Sequence, residues 1–363
     1  MNIAIIGTRG IPNYYGGFEQ FAEFLSVGLV ELGYQVTVYN SHTHPFQEKL
    51  WKGVEIVHCK DPEDKIGTAG QFVYDLNCIL DTRKKNFDII LQLGYTSSSI
   101  WGKLLPRKNS KIITNMDGLE WKRTKYSKKV QKFLLYAEKL GVKYSDVLIS
   151  DSIGIQEYLT KKYQRESHFI PYGAHLFLKP DFETVKQYAL IKYKYNMLIA
   201  RLEPENSIEI ILDGAVLSNN NTPFIVIGKH ETKFGEYLKN KFKANTNIRF
   251  LGGIYDLNCL NNLRYYSNLY FHGHTVGGTN PSLLEAMSSS ALICAHKNIF
   301  NESIINSNGF YFEDKNNVAD LINTVQKNQY AGHLKENLLK IETTYSWNRI
   351  VEQYLSTFKN SLK

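Results

Sequence analysis

The residues best suited to chemistry lie in His274-Thr-Val-Gly-Gly-Thr-Asn-Pro-Ser-Leu-Leu-Glu285-Ala-Met287. This stretch leaves the apolar run Leu269-Tyr-Phe271 through a polar, glycine-rich loop and enters an apolar helix at Pro281-Ser282. Glycine lets a backbone approach a ligand closely. Proline suits the first turn of a helix, where its missing N–H is not needed. The unpaired N–H groups of that turn, reinforced by the helix dipole, form a seat for an anion. Glu285, about one turn further on, is placed to accept hydrogen bonds from hydroxyls beside that anion. A phosphate seat with a carboxylate behind it suits a sugar nucleotide. The bland alternative is a strand–loop–helix junction that binds nothing. His272 and His274 bracket Gly273, but no cysteine or carboxylate cluster lies near them in sequence, so no metal is expected there. His272 reads better as a packing residue.

Other polar loops also follow strand-like runs. Gly16-Gly17 stands just before a helical pattern, with Gly7 and Gly10 earlier in the same loop. The spacing is not Gly-x-Gly-x-x-Gly. The next strand ends at Asn40, where a dinucleotide site would carry the ribose-binding carboxylate, so a dehydrogenase is disfavoured. Asn115-Met-Asp117-Gly-Leu-Glu120-Trp121-Lys-Arg123 follows the run Lys111–Thr114. Asp117-Gly118 is either a plain turn or a carboxylate free to bind a hydroxyl or act as a base. Arg201-Leu-Glu-Pro-Glu-Asn206 and Gly228-Lys229 each close a further strand.

The elements that must hold these loops alternate. Met1–Ile6 is a short apolar run, as buried parallel strands are. Phe18, Phe21, Ala22, Leu25, Leu29 and Leu32 then recur at helical spacing until Gly33 caps the helix, and 35–40 alternates as a strand. Further strands are expected over 54–57, 89–93, 111–114, 147–150 and 168–170. A second series follows, with strands over 196–200, 224–227, 248–251, 269–271 and 291–295. Helices are expected over 208–217 and 347–358. The charged stretch 177–195 reads as the interdomain connection. Alternating β and α elements imply α/β domains with parallel sheets.

At 363 residues, 43% hydrophobic and 13% aromatic, the chain has material for two such domains. Cys59, Cys78, Cys259 and Cys294 are scattered and fit buried thiols in a reducing cytosol. A strand-like run starts at once, so no signal peptide is expected, and no run approaches a membrane span. The net charge of +8 is concentrated. Between Lys122 and Lys143 lie Arg123, Lys125, Lys128, Lys129, Lys132 and Lys139 against Glu138 alone, interleaved with Phe133, Leu134, Leu135, Tyr136 and Leu140. That is a basic amphipathic helix suited to an anionic membrane surface, or a solvated face of a lysine-rich protein. No recognition helix, zinc finger or RNA-binding signature supports a nucleic-acid partner.

The 274–287 stretch resembles the donor-site motif of retaining GT-B glycosyltransferases of family 4, and within them a bacterial rhamnosyltransferase-like subgroup. The family pattern is Glu, seven residues, Glu, ending in Leu-Glu-Ala-Met. Glu285 matches the second Glu, while Gly277 stands at the first. The resemblance covers nearly the whole chain and implies two Rossmann-like β/α/β domains facing across a cleft. The N-terminal, acceptor-side domain is expected over 1–175, completed by about 345–363 as the last helix crosses back. The donor-side domain is expected over 176–344.

Several roles follow from the resemblance. Gly16, Gly17, Gly228 and Lys229 would face the donor. Arg201 would match the first cation of the family's Arg-(four residues)-Lys diphosphate clamp, with Asn206 at the lysine position. Gly278, Thr279 and Asn280 would give amides to the diphosphate, His274 would contact sugar or phosphate, and Glu285 would hold a ribose hydroxyl. Asp117 stands near a family catalytic-site histidine, and Glu120, Trp121 and Arg123 would shape the acceptor side. The implied activity moves a sugar, L-rhamnose from dTDP-rhamnose in this subgroup, to a hydroxyl of a glycan or polyprenyl-diphosphate-linked oligosaccharide. It needs no metal or other cofactor. The expected location is cytoplasmic, peripheral on the inner face of the membrane. Alternatives are a UDP- or GDP-hexose transferase, an epimerase of the same fold and a non-catalytic sugar-nucleotide binder.

Overall fold

The computed structural model describes the chain except Asp117, Thr124, Lys125 and Val276. It divides into two compact units. Unit 1 comprises Met1–Gly173 and Trp347–Lys363, and unit 2 comprises Ala174–Ser346.

Unit 1 is built on strands β1 (Asn2–Ile6), β2 (Gln35–Ser41), β3 (Leu50–Trp51), β4 (Val54–Cys59), β5 (Ile89–Leu93), β6 (Lys111–Asn115), β7 (Val147–Ser150) and β8 (His168–Phe169). Their order in the sheet is β3-β4-β2-β1-β5-β6-β7-β8, parallel throughout apart from the β3–β4 pair. Strand order reverses between β1 and β5. Helices cover such a sheet on both faces, which is why β1 and β5 read as nearly unbroken apolar runs. Ala4, Ile6, Tyr39, Tyr74, Cys78, Ile90 and Ile112 form a core cluster of this unit.

The helix Gly17–Glu31 buries Phe21, Ala22, Leu25 and Leu29. The last helix, Trp347–Ser361, lies against it. Trp347 stacks on Phe24 at 4.8 Å between ring centres, Phe21 meets Tyr354 at 5.2 Å, and the Tyr354 hydroxyl accepts from Asn115 Nδ2 at 3.0 Å. The final helix therefore completes unit 1.

Unit 2 has strands β9 (Asn196–Ile199), β10 (Phe224–Ile227), β11 (Ile248–Gly252), β12 (Leu269–His272), β13 (Ile293–His296) and β14 (Phe310–Phe312). They form one parallel sheet in the order β11-β10-β9-β12-β13-β14. Here the order reverses between β9 and β12. Leu198, Leu212, Phe224, Leu269, Phe271 and Phe312 are central to its core. The stretch 177–195, expected to link the domains, instead lies within unit 2. The Ala174 N–H already donates to the Tyr345 carbonyl at 2.7 Å, and that of Phe177 to Ser288 at 3.1 Å. Obligatory backbone hydrogen bonds thus commit the chain to unit 2 before 177.

One buried charge in unit 2 stands apart from the loops. Lys327 is 6% exposed; its Nζ donates to the Tyr265 carbonyl and lies 5.4 and 5.3 Å from the ring centres of Tyr193 and Tyr265. Burial pushes its ammonium down to about 7, against about 10.4 for a free lysine. Between those values the unfolded chain holds more protons than the folded one, so this residue makes stability rise with pH; below 7 both states are protonated and the dependence vanishes. In denaturant titrations, the wild type should gain stability relative to Lys327→Met as pH rises from about 7 to about 9.5. A difference that stays flat would show that the carbonyl and the rings hold the ammonium charged.

Candidate functional site

In open parallel sheets, loops leaving neighbouring strands diverge where strand order reverses, and a crevice opens at their carboxyl ends. In unit 2 this point lies between β9 and β12. The two loops leaving it are 200–207 and 273–280.

The first is braced by its own side chains. Asn206, 6% exposed, donates from Nδ2 to the Arg201 carbonyl at 2.8 Å, and its N–H reaches the Glu203 carbonyl at 3.1 Å. Asn206 thus shapes the loop from inside, whereas the sequence pattern marks it only as the place of an absent cation. Arg201 points outward. Its side chain is exposed, with no ion pair or hydrogen bond to any of the described residues. An exposed guanidinium on a rigid backbone keeps its planar fork available for an anion.

The second loop presses on the first. The Thr275 hydroxyl donates to the Glu205 carbonyl at 2.8 Å. A Cβ on Gly273 would stand 2.0 Å from the Asn206 carbonyl oxygen, so only glycine permits this approach. The His274 carbonyl accepts from Asn298 and Asn301, each at 3.1 Å. Beyond Gly277, Gly278 and Thr279, Asn280 caps the helix Pro281–Ser288, accepting from the Ser282 N–H at 2.9 Å, with Pro281 in the first turn. The strand–loop–helix junction read from the sequence is thus present, with its helix start capped by Asn280.

Glu285 lies on that helix with its side chain 19% exposed, and its Oε2 accepts from Arg264 Nη2 at 2.6 Å. Sequence reasoning missed Arg264. Its helix, Leu257–Tyr266, reads as an ordinary amphipathic one, and only a charge placed next to Leu263 hinted at an inward cation. His272 and His274 stack at 4.4 Å between ring centres. His272 is 1% exposed, and neither ring nitrogen has a hydrogen-bond partner among the described residues. Burial, with His274 and Arg264 adding, holds its pKa well below the usual value, so the ring is neutral. The packing reading suits it. On the neighbouring strand, Gly228 approaches Ala200 closely, and the exposed Lys229 sits 5.7 Å from the Tyr255 ring centre. Among the described residues no cluster of His, Cys, Asp or Glu is placed to hold a metal.

Unit 1 repeats the arrangement between β1 and β5. A Cβ on Gly7 (φ +86°) would stand 2.4 Å from the Leu93 carbonyl oxygen. Asn40 grips both backbone groups of Ile11, accepting from N–H at 3.0 Å and donating to C=O at 2.8 Å. A carboxylate could not do both, so an asparagine there is a loop brace. Asn13 accepts from the Tyr15 and Gly16 N–H groups, leading into the helix that starts at Gly17.

After β6, Asp117 lies outside the described residues. Glu120 pairs with Arg123 at 2.8 Å, and Trp121 Nε1 donates to Glu138 at 3.1 Å. Glu138, 1% exposed, also accepts from Tyr158, Lys162 and Tyr163. In the helix Lys128–Tyr144 the only carboxylate therefore turns inward, while Lys128, Lys129, Lys132, Lys139 and Lys143 are exposed beside Tyr136 and Val130. Among the described residues no helix is long and apolar enough to cross a membrane.

The comparisons with known proteins agree with this architecture. A family model described as "Domain of unknown function (DUF1972)" matches residues 1–175. No curated protein matches the chain by sequence. Solved structures match over nearly all of it. Sucrose-phosphate synthase from Thermosynechococcus elongatus has a TM-score of 0.82 at 16% identity, covering 99% of this chain and 98% of that one. HepE from Anabaena, in complex with UDP and glucose, has a TM-score of 0.79 at 15% identity, covering 99% of each chain. WaaG, a glycosyltransferase involved in lipopolysaccharide biosynthesis, has a TM-score of 0.71 at 13% identity and covers 99% of each. The fold is that of GT-B glycosyltransferases.

Gly273→Ala should force the two loops apart. We expect a loss of about 1–3 kcal/mol from overpacking and faster hydrogen exchange at the Asn206 amide. Wild-type exchange in a folded Gly273→Ala protein would mean that the loops do not depend on this contact.

Proposed function

We propose that this protein is a retaining glycosyltransferase that moves L-rhamnose from dTDP-rhamnose to a hydroxyl of a glycan or lipid-linked oligosaccharide in bacterial surface polysaccharide synthesis. The observation that carries the reading is the exposed Arg201, unpaired among the described residues, on a loop locked against the one that leads into the capped helix Pro281–Ser288. Cation and helix N-terminus together suit a diphosphate. The leaving diphosphate gains charge as the glycosidic bond breaks. Arg201 and the amides of Gly278, Thr279 and Asn280 stabilise that charge, Lys229 adds a nearby cation, and His274 contacts sugar or phosphate. Glu285 accepts from the ribose or deoxyribose hydroxyl. The acceptor oxygen bonds to the anomeric carbon on the face that the diphosphate leaves, and the leaving oxygen takes the acceptor's proton. Gly16 and Gly17 face the donor, Asp117 binds a hydroxyl of the acceptor or of the donor sugar, and Glu120, Trp121 and Arg123 shape the acceptor side.

The second reading keeps the reaction and changes the donor to a UDP-hexose. It is favoured by HepE, whose structures hold UDP, glucose and UDP-glucose. A thermal-shift panel of dTDP, UDP, GDP, dTDP-rhamnose and UDP-glucose separates the two, because a ligand that binds only the native state raises its apparent stability. Selective stabilisation by dTDP species supports rhamnose transfer, stabilisation by UDP species supports the second reading, and no response counts against both. With the donor so found, Arg201→Ala should lower kcat roughly 100- to 1000-fold, as removal of one electrostatic donor does. Unchanged turnover would remove Arg201 from the reaction.

We further propose that the lysine face of Lys128–Tyr144 holds the protein at an anionic membrane, where a lipid-linked acceptor resides. Each basic residue near such a surface contributes about 1 kcal/mol. Lys132→Glu with Lys139→Glu should therefore weaken cosedimentation with phosphatidylglycerol vesicles by roughly tenfold or more, with phosphatidylcholine vesicles as the neutral control. Equal binding to both vesicle types by the wild type would defeat the idea.

A further inference from the structure

Beneath the helix Pro281–Ser288 lies a polar network built around one arginine. Arg264 is 1% exposed. Its Nη2 donates to Glu285 Oε2 at 2.6 Å and to Ser282 Oγ at 3.3 Å, and its Nη1 donates to Asn261 Oδ1 at 2.9 Å. Tyr270, on β12, has its ring centre 5.9 Å from the guanidinium carbon and its hydroxyl 2.8 Å from Ser282 Oγ. Asn261 Oδ1 also accepts from Ser289 Oγ at 3.0 Å, just past the helix end. Arg264 thus ties the first turn of the helix and its carboxylate to the preceding helix, and Asn261 ties the far end.

Stability alone does not account for this arrangement. Burying a guanidinium is costly, and hydrophobic residues of similar volume commonly serve a core as well or better. The network is also incomplete, because Arg264 Nε is buried with no hydrogen-bond partner among the described residues. The pair is asymmetric as well. Arginine is sealed inside, while the Glu285 side chain keeps 19% of its surface exposed. A pair made for packing would bury both partners. A pair made to aim a carboxylate would bury only the cation and leave the acid at the surface where a ligand arrives. The planar fork suits that task, since it fixes direction as well as charge.

We propose that Arg264 is a positioning residue for nucleotide-sugar binding, holding the Glu285 carboxylate and, through Ser282, the first helical turn in the geometry that the ligand meets. This rests on the nucleotide-sugar reading above. Arg264 touches no ligand itself.

The test is calorimetric titration of dTDP and of UDP into wild type, Glu285→Gln, Arg264→Gln, Arg264→Lys, Asn261→Ala and the double variant Arg264→Gln/Glu285→Gln, with the Tm of each. Glu285→Gln and Arg264→Gln should each weaken the preferred nucleotide about tenfold or more, the scale of a hydrogen bond to a charged group. The double variant should be little weaker than the worse single one, because both act through one carboxylate. Arg264→Lys should recover much of the lost affinity, a rescue unrelated to its Tm. Asn261→Ala, which removes an acceptor from both the guanidinium and Ser289 but leaves Arg264 and Glu285 in place, should weaken binding severalfold, and it carries the test if Arg264→Gln does not fold. Wild-type affinity in Arg264→Gln despite a lowered Tm, additive losses in the double variant, or wild-type affinity in Asn261→Ala would each overturn the inference. Wild type that binds neither nucleotide would instead sink the reading beneath it.

Discussion

Everything in the candidate site depends on where each parallel sheet reverses its strand order. Between β9 and β12, and again between β1 and β5, neighbouring strands send their chains away in opposite directions. The strand ends stay side by side because the ladder holds them 4.7–4.9 Å apart as neighbouring strands must be. Two loops must then leave one narrow point. The first residues out have room for almost no side chain, and Gly7 and Gly273 stand there. Whatever functional groups the loops carry must appear a few residues later, once the chains have diverged. Arg201 and the start of the helix Pro281–Ser288 are positioned by that rule.

Crowding at these points also explains how the polar groups are used. Backbone N–H and C=O groups in a tight loop cannot all find partners in regular ladders, and buried ones must still be satisfied. Asn40, Asn206, Asn298 and Asn301 do this work, each turning a side-chain amide onto backbone. Amides suit it because one group both donates and accepts. Charged residues are left for other tasks: Arg201 is turned outward, and Arg264 and Glu138 are turned inward under several hydrogen bonds.

The fold was legible in the sequence to a considerable depth. The apolar runs of β5, β7 and β10 and the helix Ile208–Leu217 have the bounds that periodicity predicts, because burial on both faces leaves little freedom of composition. The two-residue β3 and three-residue β14 went unseen, since segments that short have no period to detect. In the candidate site, glycine and proline marked the loops, because backbone geometry restricts which residues fit. Arg264 did not show. Its partner Glu285 lies 21 residues further on, across a strand and a loop, and nothing in a linear pattern says which way one arginine on a helix faces. Asn206 was legible only as a departure from a motif; its use as a brace is a property of the folded loop.

The closing helix has a consequence for how the molecule comes into being. The chain leaves unit 1 after Gly173 and returns only at Trp347, so unit 2 is a continuous insertion in a discontinuous partner. During synthesis unit 2 has its full sequence first. The start of unit 1 must wait, with Phe21 and Phe24 lacking Trp347 and Tyr354 as neighbours, until the last helix leaves the ribosome. The usual N-to-C order of domain completion is thereby inverted. The half-made protein carries an uncovered aromatic seam for the whole time that its second unit is being made, which is the interval in which a chaperone would find it.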